Sequence, residues 1–452
     1  MSEISALANK LHGKNRKKFW EIFKHEGETS ARDFLESIKD QDKQNILRDE
    51  MVEHVIFAED LEEGALAQFN NASRLMPARK SALMPDAHQG YGLPIGGVLA
   101  LDNAISPYAI GVDIGCRMKI SIFPLPYKGE KTREWHPDFK KILMEQTRFG
   151  LGAAFRIEDK GGLSQHEVLD DPAWNQTQFL KGLHETAVVQ LGSSGGGNHF
   201  VEWGVVTVKR SDLSEDMETE DQYLALLSHS GSRGVGAKIA DRYSKLAMSQ
   251  RPSLDQSVKH LAWFDMDSED GQEYWEAMSL AGRFAKANHD VIHKRVARAM
   301  GLANPIMSID NHHNFAWIED VVMNDGSIQK LYVHRKGATP AGEGVLGIIP
   351  GSMSSPGYIV RGKGNRDSIN SASHGAGRAM SRKKAVETLD REVWKAMLKM
   401  NDIELIGGTL DESQHAYKNI NTVMALQHNL VNIMATFEPR IVRMADDGYA
   451  ED

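Results

Sequence analysis

Eight short blocks rich in glycine, histidine, serine and asparagine punctuate residues 84–385, and the apolar runs between most of them are only strand-length. Glycine at this density interrupts helices and lets backbone approach a ligand closely. The runs VIFAED, GGVLALDN, YAIGVDIG and MKISIF are therefore expected to be strands joined by functional loops. Two segments break the pattern: Gly236–Gln250 and Ser268–Gly301 carry helical spacing, the latter through Tyr274, Met278, Ala281, Ala285 and Ile292. Residues 1–50 read as short amphipathic helices, with Phe19 and Phe23 four apart, and with Phe34, Leu35 and Ile38 following a capping-box pattern at Ser30 and Asp33. The acidic stretch Asp212–Asp221 reads as an exposed loop before the strand-like YLALLSHS. No repeat of fixed period is present, which disfavours solenoids and propellers.

At 452 residues the simplest expectation is one large catalytic domain with an appended segment. No apolar run approaches the roughly 18 residues of a membrane span, and the N-terminus shows no secretory pattern. A cytoplasmic protein is expected, and a single cysteine agrees with that. The net charge of −9 argues against a general nucleic-acid coat, although it leaves room for a local basic groove. Arg361, Lys363 and Arg366, and then Arg378, Arg382, Lys383 and Lys384, form basic clusters around His374 that suit phosphate.

The cysteine, Cys116, lies three residues after Asp113 in GVDIGCRM. Unable to form an intrachain disulfide, its thiolate is available for a metal or for redox chemistry, although a lone cysteine is more often a small buried hydrophobe. His199 in GGGNHF, His229 in SHSGSRG and His313 in NHHN all stand in loop-like surroundings. One Asp, one Cys and several His make a borderline-soft donor set suited to Mn, Fe, Co or Zn and unsuited to Ca or Mg. The sulfur and carboxylate can serve one metal together, or the sulfur can bridge two; His312 competes with His313 for the ligand role. Asp86 stands two residues from His88, a spacing at which it could orient that imidazole. Ser230, Ser232 and Arg233 offer anion contacts, as do Arg335, Lys336 and Gly337 and the hydroxyls of Ser352, Ser354 and Ser355. His374 precedes GAG and a helix-like run, which would place a phosphate on its ring near a helix N-terminus, with Arg378 one turn along.

Taken in order, MPDAHQGYGLPIGG, DIGC, GGGNHF, HSGSRG, NHHN, HRKGAT, PGSM and SHGAGR resemble the RtcB family of RNA-splicing ligases, and AYKNINTVM extends the similarity toward the C-terminus. The resemblance implies an α+β fold: a single catalytic domain over 51–452, with central β-sheets flanked by helices, after an N-terminal helical accessory segment over 1–50. It implies an enzyme that uses GTP and Mn(2+), two ions per active site, to join RNA 3'-phosphate or 2',3'-cyclic phosphate ends to 5'-hydroxyl ends, in RNA repair or tRNA splicing. By motif, Asp113, Cys116, His199, His229 and His313 would hold the metals. His374 would form a histidine–GMP intermediate. Asn198, Glu202, Ser352, Gly375, Ala376, Gly377, Tyr417 and Arg443 would surround the nucleotide, with Glu202 on the guanine edge. An activating protein is a further candidate partner; a membrane is not.

Three departures from the family pattern stand out. Arg117 follows the cysteine where glycine is usual, DESQHAYK leaves His415 near the expected guanine pocket, and RIVRMADDGYAED puts Arg443 nearest a usual lysine–glycine end. The alternative reading is a metal-dependent phosphoesterase or 3'-end nucleotide-capping enzyme on the same scaffold, with a noncatalytic RNA-binding protein ranked below both.

Overall fold

The computed structural model describes residues 13–44, 47–125 and 136–446; the start of the chain and the acidic end after Asp446 lie outside. Two sheets organise the described residues. The first has five strands in the order Glu53–Ile56, Ala78–His88, Ile95–Leu101, Ile328–Lys336, Asn314–Val322. The second runs Leu346–Ile349, Gly357–Gly362, Val431–Met444, Phe200–Val208, Gln222–Ser230, Arg117–Pro124, Met307–His312, with Glu404–Ile406 paired alongside Val431–Met444. Its terminal strands come together where Asn311 Oδ1 accepts from Ile348 N at 2.9 Å, so the sheet curls nearly into a closed wall. Pro439, which has no N–H to give the ladder, sits at a bulge in the longest strand.

Three long helices, Gln178–Gln190, Arg233–Gln250 and Glu269–Ala299, contribute heavily to the largest apolar cluster. Ser268 caps the last of them by accepting from Gly271 N, and its buried stripe includes Tyr274, Met278, Ala281, Ala285 and Ile292, as the spacing predicts. Sheets with helices packed over them make the fold α+β.

The N-terminal helical stretch Gly13–Gln44 is two helices merged across Gly27, whose φ of 91° breaks it. Phe19, Ala31 and Leu35 are buried there in a small cluster with Trp20, Phe23 and Phe34. Ser30 falls inside the second helix, its hydroxyl bonding back to Glu26 O at 3.4 Å, and so does not serve as the expected cap. YAIGVDIG is not a strand either. It forms a single 3-10 turn, Pro107–Ala109, and then an irregular bend that buries Ile110 and Ile114 among the helices while Asp113 faces the other way, into a cavity. The acidic 212–221 segment is a loop, pinned by burial of Leu213 and Met217.

Candidate functional site

Four neighbouring strands of the larger sheet deliver four of the expected ligands to one end. His199 immediately precedes Phe200–Val208, His229 lies near the end of Gln222–Ser230, Cys116 immediately precedes Arg117–Pro124, and His313 immediately follows Met307–His312. Because these strands pair antiparallel, the starts of two meet the ends of the other two. Residues up to 197 positions apart in sequence thereby share one cradle.

Cys116 Sγ lies 3.1 Å from His229 Nε2 and 3.5 Å from His199 Nε2. His229 Nε2 is 3.3 Å from His313 Nε2, and His199 Nε2 is 3.1 Å from Asp113 Oδ2. All five residues are buried. Asp113 is held from behind, accepting from Ser232 N at 3.2 Å on Oδ1. A Cβ at Gly231 would come within 2.1 Å of that carboxylate oxygen, so this position has no room for a side chain.

Two of the imidazoles, His229 and His313, are kept neutral. Burial, reinforced by the neighbouring His199, pushes His229 down to about 3, and burial holds His313 well below the ordinary histidine range. For Asp113, burial works toward the neutral acid, but the hydrogen bond from His199 and the charges around it outweigh that and lower its pKa. A thiol sulfur, three imidazole Nε2 atoms and a carboxylate converging at hydrogen-bond distances is a donor set that fits a borderline-soft divalent ion. The ligand atoms of Cys116, His199 and His229 all lie within 4.8 Å of one another.

His312, the competitor, faces away: its ring stacks on Trp317 at 4.9 Å and lies edge-on to Phe315. Arg117 also faces away, buried against the Glu269–Ala299 helix and ion-paired with Asp310. Its bulk therefore does not enter the cradle.

The cradle opens into a cavity of about 500 Å³, large enough for a nucleotide. His374 lines it, following the short strand Ser371–Ser373, which pairs with Ala338–Pro340. Its ring centroid is 5.0 Å from that of His313. Asp86 Oδ2 accepts from His374 Nδ1 at 2.6 Å. Asp86 thus orients His374, and not His88 as the spacing suggested; His88 instead contacts the backbone carbonyl of Asp86 at 3.0 Å. Burial favours the neutral form of Asp86, but the imidazole beside it wins and its pKa is lowered. Gly377, with φ +72°, lies so close to Asp86 that a Cβ would sit 2.1 Å from Asp86 O.

The expected helix after His374 starts only at Arg382, with Ser381 as cap, and is seven residues long. The intervening GAG is an irregular turn, so a phosphate on His374 would meet backbone of that turn and not a helix end. Gly375, Ala376, Gly377, Ser352, Asn198, Glu202 and Tyr417 all line the same cavity. Ser352 and Ser355 share a hydrogen bond of 2.8 Å. Burial raises the Glu202 carboxyl well above its ordinary value.

Arg443 is not brought in. Strand alternation sends Val442 and Met444 to the cavity and Arg443 to the opposite face, where its guanidinium lies over Phe149 and donates to Leu143 O at 2.5 Å. His415 is exposed and sits against Met397. Arg335 is buried in a bidentate pair with Glu319, and Arg233 is buried with bonds to Ser193 and Gly150, so neither is available to an anion in the cavity. In the basic clusters, Arg361 pairs with Asp212, and Arg378 and Arg382 gather on Asp411 and Glu412.

Glu412, to which the sequence analysis gave no role, also lines the cavity. It is buried, accepts from Tyr417 Oη, and has its pKa raised by burial. The adjacent acidic pair DE before Tyr417 was the available signal.

A family model described as tRNA-splicing ligase RtcB matches residues 68–154 and 125–445. RNA-splicing ligase RtcB of Escherichia coli K12 is 32% identical over 376 residues, covering 78% of this chain and 87% of that protein. tRNA-splicing ligase RtcB of Nanoarchaeum equitans is 31% identical over 442 residues, 84% and 91% of the two chains. RNA-splicing ligase RtcB of Mycobacterium tuberculosis is 30% identical over 406 residues, 77% and 93%.

Proposed function

The chain belongs to the RtcB family and is an RNA ligase, and from that premise we propose that it seals 3'-phosphate or 2',3'-cyclic phosphate ends to 5'-hydroxyl ends using GTP and Mn(2+), through a guanylylated His374. The observation that carries this reading is the Asp86–His374 hydrogen bond of 2.6 Å beside the donor cluster. A carboxylate on Nδ1 fixes the proton there and leaves Nε2 with the open lone pair. A plain hydrolase has no need of such a histidine.

In the first step His374 Nε2 attacks the α-phosphorus of GTP; an N–P bond forms, the α–β P–O bond breaks, and pyrophosphate leaves. The RNA 3'-phosphate oxygen then takes GMP from the histidine, and Nε2 regains its lone pair. Finally the 5'-hydroxyl oxygen attacks the 3'-phosphorus and GMP departs with the electron pair of the broken anhydride bond. Asp113, Cys116, His199, His229 and His313 would hold the two ions, which supply charge neutralisation on phosphate oxygens and an activated water for opening a cyclic phosphate. Asn198, Ser352, Gly375, Ala376 and Gly377 line the cavity where phosphates and ribose would lie. Glu202 and Tyr417 would border the base, with Glu412 holding the Tyr417 hydroxyl.

A joining assay with 3'-phosphate and 5'-hydroxyl RNA ends, run with each nucleoside triphosphate and each divalent ion, tests the proposal. Sealed product that depends on GTP and Mn(2+) is expected; loss of the terminal phosphate without joining would favour the phosphoesterase reading.

A further inference from the structure

The smaller sheet contributes its own wall to the cavity, through the loop Gln89–Pro94 between the Ala78–His88 and Ile95–Leu101 strands. That loop is fixed on several sides. Gln68 takes both backbone groups of Gly90, donating to its carbonyl at 2.5 Å and accepting from its N–H at 3.0 Å. Glu62 accepts from Gln89 N at 3.3 Å, and Lys336 Nζ donates to Tyr91 O at 2.5 Å. On this anchored backbone Tyr91 is nevertheless 63% exposed. It lines the same cavity as Asp113 and His374, as does Tyr108. His260, from a distant segment, lies edge-on between them, 5.9 Å from Tyr91 and 4.7 Å from Tyr108.

Packing does not account for a large aromatic left in solvent on a backbone held this firmly, since Tyr91 adds nothing to the core. A ring presented at low entropic cost beside a reactive centre is what base stacking requires, and stacking tolerates any base because every base has a π-face. Glu202 lies on a strand of the larger sheet and Tyr417 on the segment after Glu412, both outside the Gln89–Pro94 loop that carries Tyr91. We propose that Tyr91, with Tyr108 and His260 behind it, is a stacking subsite for the unpaired terminal nucleobase of an RNA end. Lys336 beneath the loop adds positive charge near the adjoining phosphodiester. The inference rests on the RNA-ligase reading and adds a place for the strand that reading requires.

The test uses the full-length protein with Mn(2+) and RNA oligonucleotides carrying 2-aminopurine at the last nucleotide of a 3'-phosphate strand or the first of a 5'-hydroxyl strand. Binding is expected to quench one of the two probes, which identifies the end that stacks. Tyr91→Ala should remove the quenching and weaken RNA binding roughly tenfold, the usual scale for one stacked base, while Tyr91→Phe and Tyr91→Trp retain both. Labelling of Tyr91→Ala by GTP in the absence of RNA should match the parent, which shows that the fold and the first chemical step survive. Equal quenching and affinity in Tyr91→Ala, or no quenching of either probe by the parent, overturns the subsite. A parent that takes no label from GTP overturns the histidine–GMP reading alone, because the binding arm needs no nucleotide.

Discussion

Asp86 and His374, 288 positions apart in the chain, are joined twice: Asp86 Oδ2 accepts from His374 Nδ1 at 2.6 Å and from His374 N at 3.0 Å. Gly375 N adds a longer third bond to the same oxygen at 3.3 Å. One carboxylate therefore sets the ring's tautomer and the course of the backbone that carries it. Asp86→Asn keeps the volume but presents an amide that can donate to Nδ1, favouring the tautomer with the proton on Nε2. The first-step rate should fall by roughly two to four orders of magnitude, by analogy with other carboxylate-oriented imidazoles, with nucleotide affinity little changed. Single-turnover labelling with GTP measures this; an unimpaired rate would show that Asp86 serves the fold alone.

The five-residue donor cluster predicts a thiolate-bound metal. Cobalt(II) added to the metal-free protein should develop a sulfur-to-metal charge-transfer absorption, and Cys116→Ala should lose that band and bind less metal while keeping its far-ultraviolet circular dichroism. The same band in Cys116→Ala would remove the sulfur from the ligand set. The buried His229 and His313 add little proton competition near neutrality, since burial already holds both imidazoles below the ordinary histidine range, whereas the Cys116 thiol must still lose its proton to the solvent when an ion binds.

Glu202 gives a pH dependence with a definite sign. Its pKa in the folded protein is raised above the ordinary glutamate value of 4.5 by burial, so the neutral acid persists as pH rises past that value. Accepting from the N–H groups of a guanine edge requires the carboxylate, so binding must expel the proton. GTP affinity should therefore increase with pH until Glu202 ionises unaided in the free protein. Glu202→Gln should flatten the slope. Isothermal titration across pH 6–8 reads both; a wild-type slope of zero, or one of opposite sign, would place Glu202 off the base.

The long helices, the Gln222–Ser230 strand and the metal-ligand candidates were legible because each rests on local pattern: a 3.6-residue stripe, a strand-length apolar run, or a histidine amid glycine. What local pattern omits is partner choice. Asp86 read as a partner for His88 because they are two residues apart, yet on a strand such neighbours share a face without their side chains being obliged to bond, and the bond went to a turn 288 residues on. Arg443 failed through parity: its neighbours Val442 and Met444 reach the cavity, and the pleat turns it away. YAIGVDIG is apolar enough for a strand, but delivering Asp113 while burying Ile110 and Ile114 required a bend. Glu412 has no sequence periodicity to announce it; its burial is created by Arg378, Arg382 and Tyr417 closing around it.

The central claim is that His374 becomes covalently guanylylated. The most direct measurement is incubation of the full-length protein with α-labelled GTP and Mn(2+), followed by mapping of the label. The account predicts label on His374 that is released by mild acid and survives alkali, as an N–P bond behaves, and no label in His374→Ala. Label that persists in His374→Ala, or RNA joining by a parent protein that never takes label, would contradict it.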